Sequence, residues 1–167
     1  SSGLECWNLW QSFADKEGFI LLCPTIPGDA NGYSQDVGEN AVWSAISAVS
    51  KEYRIKPKIF LSGFSAGAFF IQGFHYHYPQ AAGGLSILSS GIYLDPRMFS
   101  VYVPMLVVIG DRDNGTAVQT SKLFAGDLQT LGFDVKYEVI PGMGHTVNKN
   151  GINLTIDLFR NTLQEYN

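Results

Sequence analysis

Lys58-Ile59-Phe60-Leu61-Ser62-Gly63-Phe64-Ser65-Ala66-Gly67 sets an apolar run directly before a serine flanked two positions away on each side by glycine. The next segment, Ala68 to Tyr78, is compatible with a helix until Pro79 stops it. A strand over Lys58–Leu61, a tight turn at Gly63–Gly67 and a helix behind it form one strand–turn–helix unit. At such a bend a Cβ on either glycine would clash across the turn. Ser65 is raised off the end of the strand, its hydroxyl open to a base and a substrate. The alternative is a glycine-serine turn that merely joins a strand to a helix; the setting between an apolar strand and a helix favours the chemical reading.

Around this unit, short aliphatic and β-branched runs alternate with helical patterns, the sign of strands joined by crossover helices in a mainly parallel sheet. The expected strands are Phe19–Cys23, Lys58–Leu61, Gly84–Leu88, Met105–Ile109 and Val135–Ile140. Asp36 and Glu39 have the spacing of a capping box ahead of Val42, Ile46, Val49 and Tyr53 at helical intervals. A further helix runs from about Ala117 to Leu131, closed by Gly132. Ile152, Ile156, Phe159 and Leu163 make one apolar stripe near the C-terminus, and Trp7, Trp10 and Phe13 make another in the first helix. No repeat or linker divides the 167 residues, so residues 1–167 are expected to form a single domain.

Composition narrows the function classes. Hydrophobic residues make up 46% of the chain and charged residues 16%, a profile that supports a packed core and excludes a disordered segment. The net charge of -4, with no run of Lys or Arg, removes the electrostatic basis for a nucleic-acid partner. No apolar stretch is long enough for a transmembrane segment, and the first residues lack the pattern of a signal peptide. A soluble chain is expected, with the cytoplasm slightly favoured over secretion. Cys6 and Cys23 read as two buried reduced thiols rather than a disulfide. His, Cys and carboxylates nowhere gather at metal-ligand spacing, so neither a metal nor a cofactor is expected.

Two further segments carry candidate chemistry. Gly110-Asp111-Arg112-Asp113 begins where the run Met105–Ile109 ends, placing carboxylates at the carboxyl end of a strand, where open α/β sheets hold their sites. Either aspartate can accept an imidazole N–H; equally, the three charges can pair at a surface for little energy. His145 lies in Pro141-Gly142-Met143-Gly144-His145 just past the last strand, on a loop whose glycines can carry the ring toward a distant serine. His75 and His77, on the helix after the turn, read as structural or exposed. The amide of Ala66, at the start of a helix, faces the oxygen that becomes negative when Ser65 attacks a carbonyl.

Taken together these segments resemble the α/β-hydrolase superfamily, and within it the small serine esterases of the phospholipase/carboxylesterase and the polyhydroxybutyrate-depolymerase or feruloyl-esterase-like groups. The order Ser65, aspartate, His145 along the chain is the order of that superfamily's triad. Phe19–Pro24 resembles its proline-ended strand, and Gly63–Gly67 its nucleophile motif. Gly110–Asp113 resembles the G-x-x-D pattern whose final aspartate is the triad acid, which favours Asp113 over Asp111.

The resemblance implies an α/β-hydrolase fold, a mainly parallel sheet with helices on both faces, here lacking the N-terminal strands. Such proteins have a further central strand ahead of the first helix, ending in a His-Gly-type loop that supplies a second oxyanion donor. Ser1-Ser2-Gly3 resembles the tail of that loop, which makes the Ser1 amide the candidate second donor. Upstream residues or a partner segment are expected to complete the sheet, since two neighbouring strands otherwise keep unpaired backbone groups.

The implied activity is hydrolysis of a small-molecule carboxylic ester of small or medium acyl chain through an acyl-enzyme on Ser65, with His145 as base and Asp113 as acid. Ile26, Ile92, Tyr93 and Met143 are the candidate pocket walls. The competing expectation is a catalytically silent binding module that keeps the fold.

Overall fold

The computed structural model describes residues 3–29 and 32–164. It divides into two compact units, residues 1–56 and 57–167.

In the first unit, helix α1 (Gly3–Glu17) buries Trp10 and Ala14, one turn apart on one face. Phe13 meets Trp10 edge-on with ring centroids 6.3 Å apart. Trp7 does not join them; it is 45% exposed, so the expected three-aromatic stripe is narrower than the sequence suggested. The run Phe19–Cys23 is not a strand. It is half-buried irregular backbone apart from the exposed Ile20, and it doubles back along the start of α1. There Cys23 is bonded to Cys6, and the Gly3 amide donates to Thr25 Oγ1 at 3.0 Å. The expectation of two reduced thiols therefore gives way to a disulfide.

A minimal antiparallel pair, β1 (Gly28–Asp29) and β2 (Gly32–Tyr33), leads into α2 (Gln35–Ser50). The Asp36–Glu39 capping box does not form. The helix begins after Ser34, which makes no side-chain cap, and Glu39 is buried and accepts from Gln35 Nε2 at 2.6 Å.

The second unit carries the parallel sheet: β3 (Ile59–Phe64), β4 (Ala82–Leu88), β5 (Met105–Gly110) and β6 (Val135–Ile140), side by side in that order. β4, β5 and β6 contain their expected runs, while β3 begins one residue later than expected, at Ile59, and extends past Leu61 up to the serine. Every residue of β4 and β5 is buried, which requires cover on both faces and explains their unbroken aliphatic character. Helix α5 (Lys149–Gln164) covers one face. Its Thr155 hydroxyl meets Ser86 Oγ of β4 at 2.7 Å, and Phe159 packs edge-on against Phe60 of β3. Ile152 and Ile156 are buried as the stripe predicts; the side chain of Leu163 lies outside the described residues.

Helices α3 (Ala66–His77) and α4 (Gly115–Thr130) pack against β3–β4 and β5–β6. The right-handed crossovers of a parallel sheet built in one direction put both on the face opposite α5. Among the described residues β3 pairs on one side only, with β4. β6 likewise pairs only with β5; the edge at β3 lies where the sequence reading expected a neighbouring strand, and Phe19–Cys23 contributes none.

Candidate active site

All three chemistry-bearing segments end at the carboxyl edge of this sheet. At the end of β3 the chain turns so sharply that Ser65 adopts φ 53° and ψ -119°, a backbone region that side-chain-bearing residues rarely occupy. Two features hold it there. The Ser65 amide donates to the Leu88 carbonyl at the end of β4, 2.9 Å away. Gly63 lies so close to the following turn that a Cβ on it would stand 2.2 Å from the Gly67 carbonyl oxygen. Ala66 opens α3, so its amide belongs to the first-turn donors that no intrahelical carbonyl can satisfy. An anionic oxygen placed beside Ser65 meets the positive end of that helix.

The other two segments lock onto each other. The Gly142 amide donates to the Asp111 carboxylate at 2.7 Å, the Arg112 amide to the Met143 carbonyl at 3.0 Å, and the Asp111 amide to the Ile140 carbonyl at 3.2 Å. Gly110 makes this approach possible, because a Cβ there would lie 1.9 Å from the Met143 carbonyl oxygen. Asp111 thereby braces the histidine loop, and the sequence reading had given it no part there. Asp113 points the other way: its side chain is only 2% exposed, and it accepts the His145 Nδ1–H at 3.1 Å and the Asn114 amide at 2.7 Å. With Nδ1 donating to a carboxylate, Nε2 is the unprotonated nitrogen of the neutral ring. The Ser65 hydroxyl donates to it at 2.9 Å. Asp113, His145 and Ser65, far apart in the chain, thus form one hydrogen-bonded row, with a buried carboxylate at one end and a serine at the other.

The remaining candidates disperse. Ile92, in the loop after β4, is 65% exposed, whereas Met143 is buried. Tyr93 is half-buried with its ring stacked on Phe124 of α4 at 4.4 Å, and burial pushes its phenol well above the ordinary range. Ile26 is half-buried in the first unit. Ser1 lies outside the described residues. His75 is fully buried, its Nε2–H donating to the Val101 carbonyl at 3.0 Å, and burial lowers its pKa; His77 is exposed.

The loop carrying Ile92 is itself tied down. Buried Gln72 of α3 accepts the Leu94 amide at 3.1 Å, and Ser90 Oγ donates to the Ile92 carbonyl at 2.6 Å. Sequence reasoning also missed Phe64, whose ring lies against the His145 imidazole with centroids 5.0 Å apart. The two are too distant in sequence for any periodicity to signal the contact.

No protein-family model and no curated protein matches the chain. Solved structures do. An uncharacterized protein from Bacillus cereus ATCC 10987 is 16% identical, with a TM-score of 0.79, over 97% of this chain and 56% of that one. The chain therefore spans little more than half the length of that neighbour. Esterase PE8 is 19% identical, with a TM-score of 0.70, over 97% of this chain and 87% of its own. SOBER1 from Arabidopsis thaliana is 20% identical, with a TM-score of 0.71, over 98% and 94%. No described helix is long and apolar enough to cross a membrane. The sheet order, the crossovers and these neighbours give the chain an α/β-hydrolase fold with fewer strands than the sequence reading expected of the complete form.

Proposed function

We propose that this chain is a serine hydrolase that cleaves carboxylic esters of small or medium acyl chain. The observation that carries this reading is the hydrogen-bonded row from buried Asp113 through His145 to Ser65, at 3.1 and 2.9 Å. Ser65 attacks the ester carbonyl while His145 Nε2 takes its proton, and Asp113 holds the ring in the tautomer that can do so. The Ala66 amide at the head of α3 stabilises the oxyanion. The alcohol leaves with the proton from Nε2, and water, activated by the same nitrogen, releases the acid. The serine lies at the surface end of the sheet with the His145 imidazole half exposed, an open setting that favours a small or medium acyl group.

A fluorophosphonate probe tests the reading. It should label wild-type protein at Ser65, and Ser65→Ala should lose both the label and the turnover of p-nitrophenyl acetate. A folded wild-type protein that neither labels nor turns over belongs instead to the silent-module reading.

A further inference from the structure

The two hydrogen bonds of His145 lie in the plane of its ring, one at each nitrogen. Together with Cβ, which lies in the ring plane off the line joining the two nitrogens, they set the ring's orientation and leave its faces to other contacts. Gly144 precedes His145 in the chain, and the imidazole is half exposed. The Phe64 ring lies against the imidazole in a tilted arrangement, at a centroid distance of 5.0 Å and an interplanar angle of 40°. It is the last residue of β3, paired in register with Leu88, and is followed directly by the constrained Ser65 backbone, so the turn that presents the serine also presents this ring. Phe64 is itself partly exposed, so it can be replaced without opening a cavity in the core.

We propose that Phe64 tunes the base, its aromatic ring stabilising the imidazolium form of His145; this rests on the hydrolase reading above. As the Ser65 Oγ lone pair bonds to the carbonyl carbon, the carbonyl π pair moves onto oxygen and the hydroxyl proton passes to Nε2. One positive and one negative charge are created. When the oxyanion pair re-forms the carbonyl, the ester C–O bond breaks and the leaving alkoxide takes that proton. The cation exists only between these events, so an aromatic face that favours it speeds the chemical step without tightening substrate binding. The charged group against the imidazole is Asp113, from the turn after β5 that also holds Asp111 and Arg112. The β3–α3 turn presents only Ser65 and Phe64, and the loop of His145 itself adds no charge between Pro141 and Asn148. Replacing Phe64 therefore changes the surroundings of the imidazole without removing a charge.

The test compares Phe64→Leu, which keeps apolar bulk, with Phe64→Tyr, which keeps the π face; Phe64→Met replaces the leucine variant if that one does not fold. For an exposed cation–π pair the leucine variant should lose about 2- to 5-fold in kcat on p-nitrophenyl acetate with KM unchanged, and the tyrosine variant should recover it. In parallel, the rate of fluorophosphonate labelling of Ser65, a step that passes through the same imidazolium, should fall by a similar factor in Phe64→Leu and recover in Phe64→Tyr. An unchanged kcat and labelling rate in Phe64→Leu, failure of Phe64→Tyr to restore them, or a loss confined to KM would overturn the proposal. Absence of both turnover and labelling in a folded wild type would instead sink the hydrolase reading.

Discussion

Replacing Asp113 by asparagine alters a single atom type at the buried end of the row and leaves its shape intact. Asp113 accepts two N–H groups, from His145 at 3.1 Å and from Asn114 at 2.7 Å. An asparagine has one acceptor oxygen, and the short backbone contact at Asn114 claims it. The amide NH₂ then faces Nδ1, which must give up its hydrogen and accept. The proton moves to Nε2, and Nε2–H cannot take a proton from Ser65. Such a tautomer reversal costs on the order of 10⁴ in kcat with little change in geometry, or about 5.5 kcal/mol of barrier. Asp111→Asn is the matched control. Its role is to accept the Gly142 amide at 2.7 Å, which an asparagine carbonyl also does, so its turnover should stay within a few-fold of wild type. The assay is kcat/KM on p-nitrophenyl acetate for both variants and wild type, with thermal melting to show that all three fold. A crippled Asp111→Asn beside a mild Asp113→Asn would refute the assignment of the acid.

Three further outcomes are expected. Gly110→Ala drives a Cβ to 1.9 Å from the Met143 carbonyl, so it should destabilise the protein by about 1–3 kcal/mol or more and lower turnover, read by urea unfolding and ester hydrolysis. His75 is buried with its pKa lowered, so the unfolded chain binds a proton there more readily than the native one. Stability is thus fully present above about pH 6.5 and falls as pH drops below that value toward the lowered native pKa; melting curves from pH 8 to pH 5 should show a shallower decline in His75→Gln. The Cys6–Cys23 bridge closes a separation of 17 residues, worth about 3 kcal/mol by loop entropy, so a non-reducing digest should yield the linked peptides and Cys6→Ala/Cys23→Ala should melt lower.

Much of the second unit was legible in sequence because local chemistry and burial agree there. Unbroken aliphatic runs mark β4 and β5, buried on both faces, and the glycines around Ser65 mark a bend that only they permit. Where the reading failed, local pattern was asked to settle a tertiary question. Phe19–Cys23 has the composition of a buried strand, but a strand exists only with a partner to pair its backbone, and composition does not name one. Asp36 and Glu39 have capping-box spacing, yet Gln35 lies one turn before Glu39 and takes its carboxylate first. Asp113 and Asp111 are equivalent as residue types. Their separation into one that meets the imidazole and one that braces the loop depends on how the turn after β5 meets the loop after β6.

That junction has a mechanical consequence. With Gly110 seated under the Met143 carbonyl and three further hydrogen bonds across it, the acid and the base ride on one rigid mount, while the serine stands on another, the bend between β3 and α3. A displacement between the two supports would fall on the 2.9 Å contact of His145 with Ser65 before the 3.1 Å contact of Asp113 with His145. The proton-transfer gap becomes the compliant joint of the assembly, and the rate of chemistry becomes a gauge of how firmly the edge strand β3 is held against β4.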